Sequence, residues 1–113
     1  MANSFVNKKA DLTSTSATTL YTVPDASTAI VKSILVSEDS GNSDTITVTI
    51  TDTSDAVFSL FKTKAISANA TTELLTAPLV LQQNEVLKVT AATANRLHVV
   101  LSTLESKPRE VIT

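Results

Sequence analysis

The chain has 113 residues, no cysteine, one histidine and a formal net charge of −2. That length suits one domain whose core is large enough to fold without staples, and zero cysteines exclude disulfide scaffolds, iron–sulfur clusters, cysteine zinc sites and cysteine nucleophiles together. Nine basic residues scattered among eleven acidic ones argue against a binder of the phosphate backbone.

In chain order, the first segment, Met1 to Lys9, lacks the charged start and long apolar run of a signal peptide. Residues 1–9 are therefore expected to form a first strand or an N-terminal arm. Alternation with period two and turn punctuation place strands at about 4 to 12, 17 to 23, 29 to 38, 44 to 52, 56 to 65, 71 to 75, 78 to 82, 85 to 92 and 96 to 104. The fourth is the plainest. Thr45-Ile46-Thr47-Val48-Thr49-Ile50-Thr51 alternates threonine with β-branched aliphatics, which gives one apolar and one hydroxyl face on extended backbone.

Between the strands lie Ser, Thr, Asn and Asp clusters such as Pro24-Asp25-Ala26-Ser27, Asp39-Ser40-Gly41-Asn42-Ser43 and Asp52-Thr53-Ser54-Asp55. These residues favour turns through side-chain hydrogen bonds to the backbone. With a single glycine in the chain, Asn42, Asn69, Asn84 and Asn95 are expected to take its place where φ must be positive. The fold class expected is all-β: one antiparallel β-sandwich, jelly-roll or Ig-like, of eight or nine short strands. It is expected to fill 1–113, with short terminal arms at 1–9 and 106–113. No apolar run approaches the ~20 residues of a membrane-spanning helix, so a soluble protein is expected.

The core is expected from Ile46, Val48 and Ile50, from Leu87 and Val89, and from Leu97, Val99 and Leu101. In the third strand Ile30, Ile34 and Val36 fall on one side and Val31 and Leu35 on the other. That pattern predicts a central strand buried on both faces. In the fifth, alternation sets Phe58 and Leu60 against Val57, Ser59 and Phe61, leaving a large apolar side chain facing outward as a contact candidate.

Chemistry is sparse. The Asp39 to Asp44 segment has the composition of a Ca²⁺ loop but not EF-hand spacing, and a hairpin loop explains the same residues. His98, the lone histidine, is not expected to build a multi-histidine metal site or a His-based triad. It reads as a strand-surface residue. A carboxylate pair such as Glu73 with Glu85 is conceivable across strands, but nothing in the sequence singles it out. Neither an enzyme, a catalytic residue, a cofactor nor a metal site is expected.

Two segments carry a family likeness: Ser16 to Pro24 followed by Ala29 to Ile34, and Leu79 to Ala91 followed by Leu97 to Glu105. They resemble small all-β virion structural proteins of tailed bacteriophages, especially marine and cyanobacterial ones, across most of residues 10 to 105. The pattern departs at Asn84-Glu85, where such sequences tend to carry Gly-Asp at the turn. The resemblance implies a capsid decoration (cement) protein that binds and stabilises the major capsid protein lattice, or else a tail or fibre component. A host-glycan-binding sandwich ranks below these, because such sites usually stack sugars on aromatic faces and this chain has one Tyr and no Trp.

Implied partners are the major capsid protein and copies of the chain itself, as dimer or trimer, with no nucleic acid, membrane or small-molecule substrate. The implied location is the virion, assembled in the host cytoplasm. A positive mean hydropathy of +0.18 leaves apolar surface for such contacts. The expected contact residues are Phe5 and Val6 near the start, Phe58 on the fifth strand, and Val111 and Ile112 near the end.

Overall fold

The computed structural model describes residues 2–107. Nine strands run in order: β1 (Ala2–Asp11), β2 (Thr18–Thr22), β3 (Thr28–Glu38), β4 (Asp44–Thr51), β5 (Val57–Ile66), β6 (Thr71–Glu73), β7 (Leu79–Leu81), β8 (Val86–Ala91) and β9 (Leu97–Lys107). The first begins two residues earlier than the alternation predicts and the last ends three later.

The strands form two antiparallel sheets. Sheet A has the order β1-β9-β3-β6, with β7 also pairing β3, and sheet B has the order β2-β8-β4-β5. The pairs β1/β9, β2/β8, β3 with β6 and β7, and β4/β5 nest inside one another, so the chain is a long ribbon doubled back at the β4–β5 hairpin and rolled up. That is the jelly-roll alternative rather than the Ig-like one.

Sequence chemistry drives the closure. Ile46 and Val48 of β4, Leu87, Val89 and Ala91 of β8, and Leu97, Val99 and Leu101 of β9 are fully buried, together with Leu12, Val23, Ile66 and Leu81. Each fully buried aliphatic side chain contributes about 1.5–3 kcal/mol. Ile50, by contrast, is only partly buried against this core.

Three bulges revise the simple alternation. In β3 the register against β9 shifts between Val31 and Ser33, so Lys32 is an extra residue. Ala29 and Val31 face the core before it, and Ile34, Val36 and Glu38 after it. Ile30 therefore does not share a face with Ile34 and Val36, and the strand is not buried on both faces. It is central, but its outer side leaves Leu35 at 38% exposure. In β2 a shift between Thr19 and Tyr21 turns both Leu20 and Tyr21 inward.

In β5 the pairing passes from Ser59 opposite Thr49 to Phe61 opposite Val48. Leu60 is the bulged residue, and Phe58, opposite Ile50, lies on the same side as Phe61 rather than the opposite one. A second irregularity follows, where the Thr63 amide donates to the Thr47 hydroxyl at 3.1 Å.

The turns use asparagine as expected at Asn69, Asn84 and Asn95, with φ of 58°, 64° and 66°. At Asn42 the expectation fails, because Gly41 takes the left-handed position (φ 83°) instead. Ala26, Asp55 and Thr63 also have positive φ, where a Cβ is costly. Asp52 to Asp55 is a true hairpin turn: Asp52 Oδ1 accepts from the amides of Ser54 and Ala56 at 2.9 and 3.0 Å. The Asp39 to Ser43 segment is not a hairpin loop, because β3 and β4 belong to different sheets. It is an arch between them.

Candidate interaction surfaces

The outer face of sheet A is built by strict cross-strand pairing. Phe5 stands opposite Leu104, Leu104 opposite Ile30, and Ile30 opposite Val80. Residues directly opposite on neighbouring strands have Cβ atoms about 5 Å apart, so these four form one apolar row crossing β1, β9, β3 and β7. Its two ends lie open, with Phe5 at 84% and Val80 at 53% exposure. Beyond a row of Asn7, Ser102 and Ser33, a second row places Val100 and Leu35 between Lys9 and Glu73.

β1 is also an edge. All ten of its residues pair with β9 without a register shift, and among the described residues no strand lies on its other side. Its first half, Asn3 to Asn7, carries no charge, whereas Lys8 and Lys9 mark the second half. An unbulged, uncharged edge presents unpaired N–H and C=O groups to an incoming strand. Val6 is half-buried on this strand, opposite the buried Thr103.

A second apolar feature lies where the sheets part. A groove of about 470 Å³ runs between β5 and the β6–β7 segment, floored by Leu60, Phe61, Leu74, Leu75, Pro78 and Leu79 and rimmed by Lys64 and Glu73. On the same strand β5, Val57 and Phe58 are 62% and 55% exposed. Thus Phe5 and Phe58, both singled out from the sequence, lie in the open on edge strands of different sheets. Val111 and Ile112 lie outside the described residues.

The polar groups are mostly engaged in structure. Glu38, buried at the end of β3, accepts from the Ser40 hydroxyl and from the amides of Ser40, Gly41 and Asn69. Burial works against its charge, but these bonds outweigh it and bring its carboxyl down to about 2. Glu73 shows the same balance: burial raises its carboxyl, and bonds from Ser33 and the Ile34 and Leu75 amides lower it further. Glu85 accepts from the Gln82 amide at 2.6 Å and lines a different cavity from Glu73.

Tyr21 donates to Glu105 Oε2 at 2.6 Å; burial, then the adjacent carboxylate, pushes its hydroxyl above the ordinary tyrosine range. His98 is half-buried, with Nε2 3.2 Å from Asp11 Oδ1 and Nδ1 3.4 Å from Asp39 Oδ2. Among the described residues, no group of three or more His, Asp or Glu side chains is placed to hold a metal ion, and no helix is long and apolar enough to cross a membrane. An open polar cleft of about 650 Å³ at one end of the sandwich is lined by Ala26, Ser27, Thr28, Asp52, Thr53, Gln82, Gln83 and Glu85. It offers no aromatic face for stacking a sugar.

Sequence reasoning missed Glu38, Tyr21–Glu105 and the cross-strand row. A charged residue closing a strand reads as exposed, and the row requires the register of four strands that are not adjacent in sequence.

No protein-family model matches the chain, and no curated protein matches it. Among solved structures it is similar to a chain of the cyanophage Pam1 capsid asymmetric unit, at 18% identity and a TM-score of 0.43, over 94% of this chain and 86% of that one. A likeness of that degree fixes neither fold nor function.

Proposed function

We propose that this chain is a structural component of a phage virion and, more specifically, a capsid decoration protein that binds and stabilises the major capsid protein lattice. The observation that carries the proposal is the apolar row Phe5–Leu104–Ile30–Val80 on the outer face of sheet A, continuous with the free edge of β1. A flat apolar strip beside an open strand edge suits docking onto another protein's sheet, with the backbone supplying hydrogen bonds and the row supplying desolvation.

The sequence resemblance to small virion proteins of tailed phages supports the same reading. The jelly roll is a recurrent scaffold of viral capsid domains, which is an analogy of fold only. On this proposal the protein is not an enzyme, its partners are the major capsid protein and further copies of itself, and its place is the virion surface after assembly in the host cytoplasm. Contact falls to Phe5 on the outer face of β1 and to the open strand edge that carries Val6, with Phe58 available to a neighbouring copy.

The test is re-binding of the purified protein to capsids stripped of it. Phe5→Asp is expected to lower occupancy at least tenfold while leaving the circular dichroism spectrum unchanged. Unaltered occupancy with Phe5→Asp and Val80→Asp together would remove this surface from the account.

A further inference from the structure

The groove between β5 and the β6–β7 segment is lined mainly by apolar side chains, and it is flanked by the outer strand of each sheet. β5 is the edge of sheet B. β6 and β7 lie at the edge of sheet A, so an extended segment entering here meets, among the described residues, strand edges with no partner on both sides. The floor is aliphatic and aromatic, and the rim carries one cation, Lys64, and one anion, Glu73.

Just beyond the described residues the sequence reads Pro108-Arg109-Glu110-Val111-Ile112-Thr113. Two β-branched aliphatics follow one cation and one anion, which complements the rim and the floor. Pro108 has no N–H to donate.

Reach decides whose segment this is. Leu79 is level with Thr103 of β9, and Glu73 is level with Val100, through their shared partners on β3. The groove therefore lies four to seven residues back from Lys107, roughly 13–23 Å along the strands, plus two strand spacings of about 4.8 Å. Val111 and Ile112 extend at most about 14–18 Å past Lys107, and only after a full reversal of direction. The near end of the groove is barely attainable from within one chain and its centre is not.

We propose that this groove receives residues 108–113 of a second copy of the chain, with Val111 or Ile112 on the apolar floor, Arg109 toward Glu73 and Glu110 toward Lys64. The contact is independent of the virion reading: it is an exchange of tails that closes a dimer or a ring.

The mass in solution of the full chain, of a chain stopped at Lys107 and of the full-length Leu60→Glu variant tests it, by light scattering after size exclusion. The full chain is expected to run as a multiple of 11.9 kDa and both variants as monomers. Mixing the stopped chain, which keeps its groove, with the Leu60→Glu chain, which keeps its tail, is expected to restore a one-to-one complex. A fluorescent peptide of residues 107–113 is expected to bind the stopped chain and to be displaced by the full chain. A monomeric full chain, a stopped chain of undiminished mass, or no peptide binding to the stopped chain would each overturn the proposal. If Leu60→Glu fails to fold, the stopped chain and the peptide decide it.

Discussion

The Tyr21 hydroxyl donates to Glu105 Oε2 at 2.6 Å and so ties β2 of one sheet to β9 of the other. Tyr21 is buried and Glu105 half-buried, and the partner of each lies 84 residues away in sequence. It is a polar clasp closing one side of a core otherwise held by aliphatic packing.

Tyr21→Phe keeps the ring in the core and removes the donor, so it is expected to cost about 1 kcal/mol of unfolding free energy in urea at pH 7. The unfolded chain gives up its phenolic proton near the ordinary value of 10, and the folded chain holds that proton to higher pH. This contribution is therefore fully present below pH 10 and is lost as pH rises above it. The difference in stability between wild type and Tyr21→Phe should shrink on going from pH 9 to pH 11. A constant difference would show that the proton is not held in this way.

Glu38 works in the opposite sense. Its carboxyl is depressed from the ordinary 4.5 to about 2, so the stability it contributes is present above pH 4.5 and lost as pH falls from there toward 2. Glu38→Gln is expected to flatten the acid limb of the urea-midpoint profile in that window. It should also speed amide exchange at Ser40, Gly41 and Asn69, whose N–H groups bond to this carboxylate. Glu73, also lowered, sustains the remaining slope.

The bulge at Lys32 makes a paired prediction on adjacent residues. Ile34→Ala empties a fully buried site and should cost about 2–5 kcal/mol, whereas Leu35→Ala on the outer face should cost less than about 1 kcal/mol. Equal costs by chemical denaturation would contradict the register in which β3 meets β9.

Such bulges mark where the sequence stopped being legible. All nine strands could be read from alternation and turn residues, because threonine and β-branched aliphatics declare extended backbone locally. Around Lys32 and Leu60, however, apolar residues lie on both faces, and an inserted residue exchanges the faces without leaving a compositional trace. For that reason alternation groups Ile30 with Ile34 and sets Phe58 apart from Phe61, where the register does the reverse. Jelly-roll and Ig-like windings share the same local signals and differ only in which distant strands pair. Phe5 stood out in the sequence as an apolar residue near the chain start, but its place inside β1 and its row with Leu104, Ile30 and Val80 depend on register across four strands.

Ala26 has φ of 56° in the β2–β3 turn, a conformation in which a Cβ costs roughly 1–2 kcal/mol. Ala26→Gly relieves that strain and loses part of the gain to chain entropy in the unfolded state. The expected result is a rise of about 0.5–1 kcal/mol in unfolding free energy. Asn84→Ala, at φ 64°, should lower stability by a similar amount.

The central claim is that the outer face of sheet A docks this chain onto a capsid. Cryo-electron microscopy of intact particles carrying it tests that most directly. The account predicts many copies at regular lattice positions, each with Phe5, Leu104, Ile30 and Val80 turned toward the major capsid protein. A few copies in a ring or spike at one vertex, or lattice copies with this face turned to solvent, would contradict it.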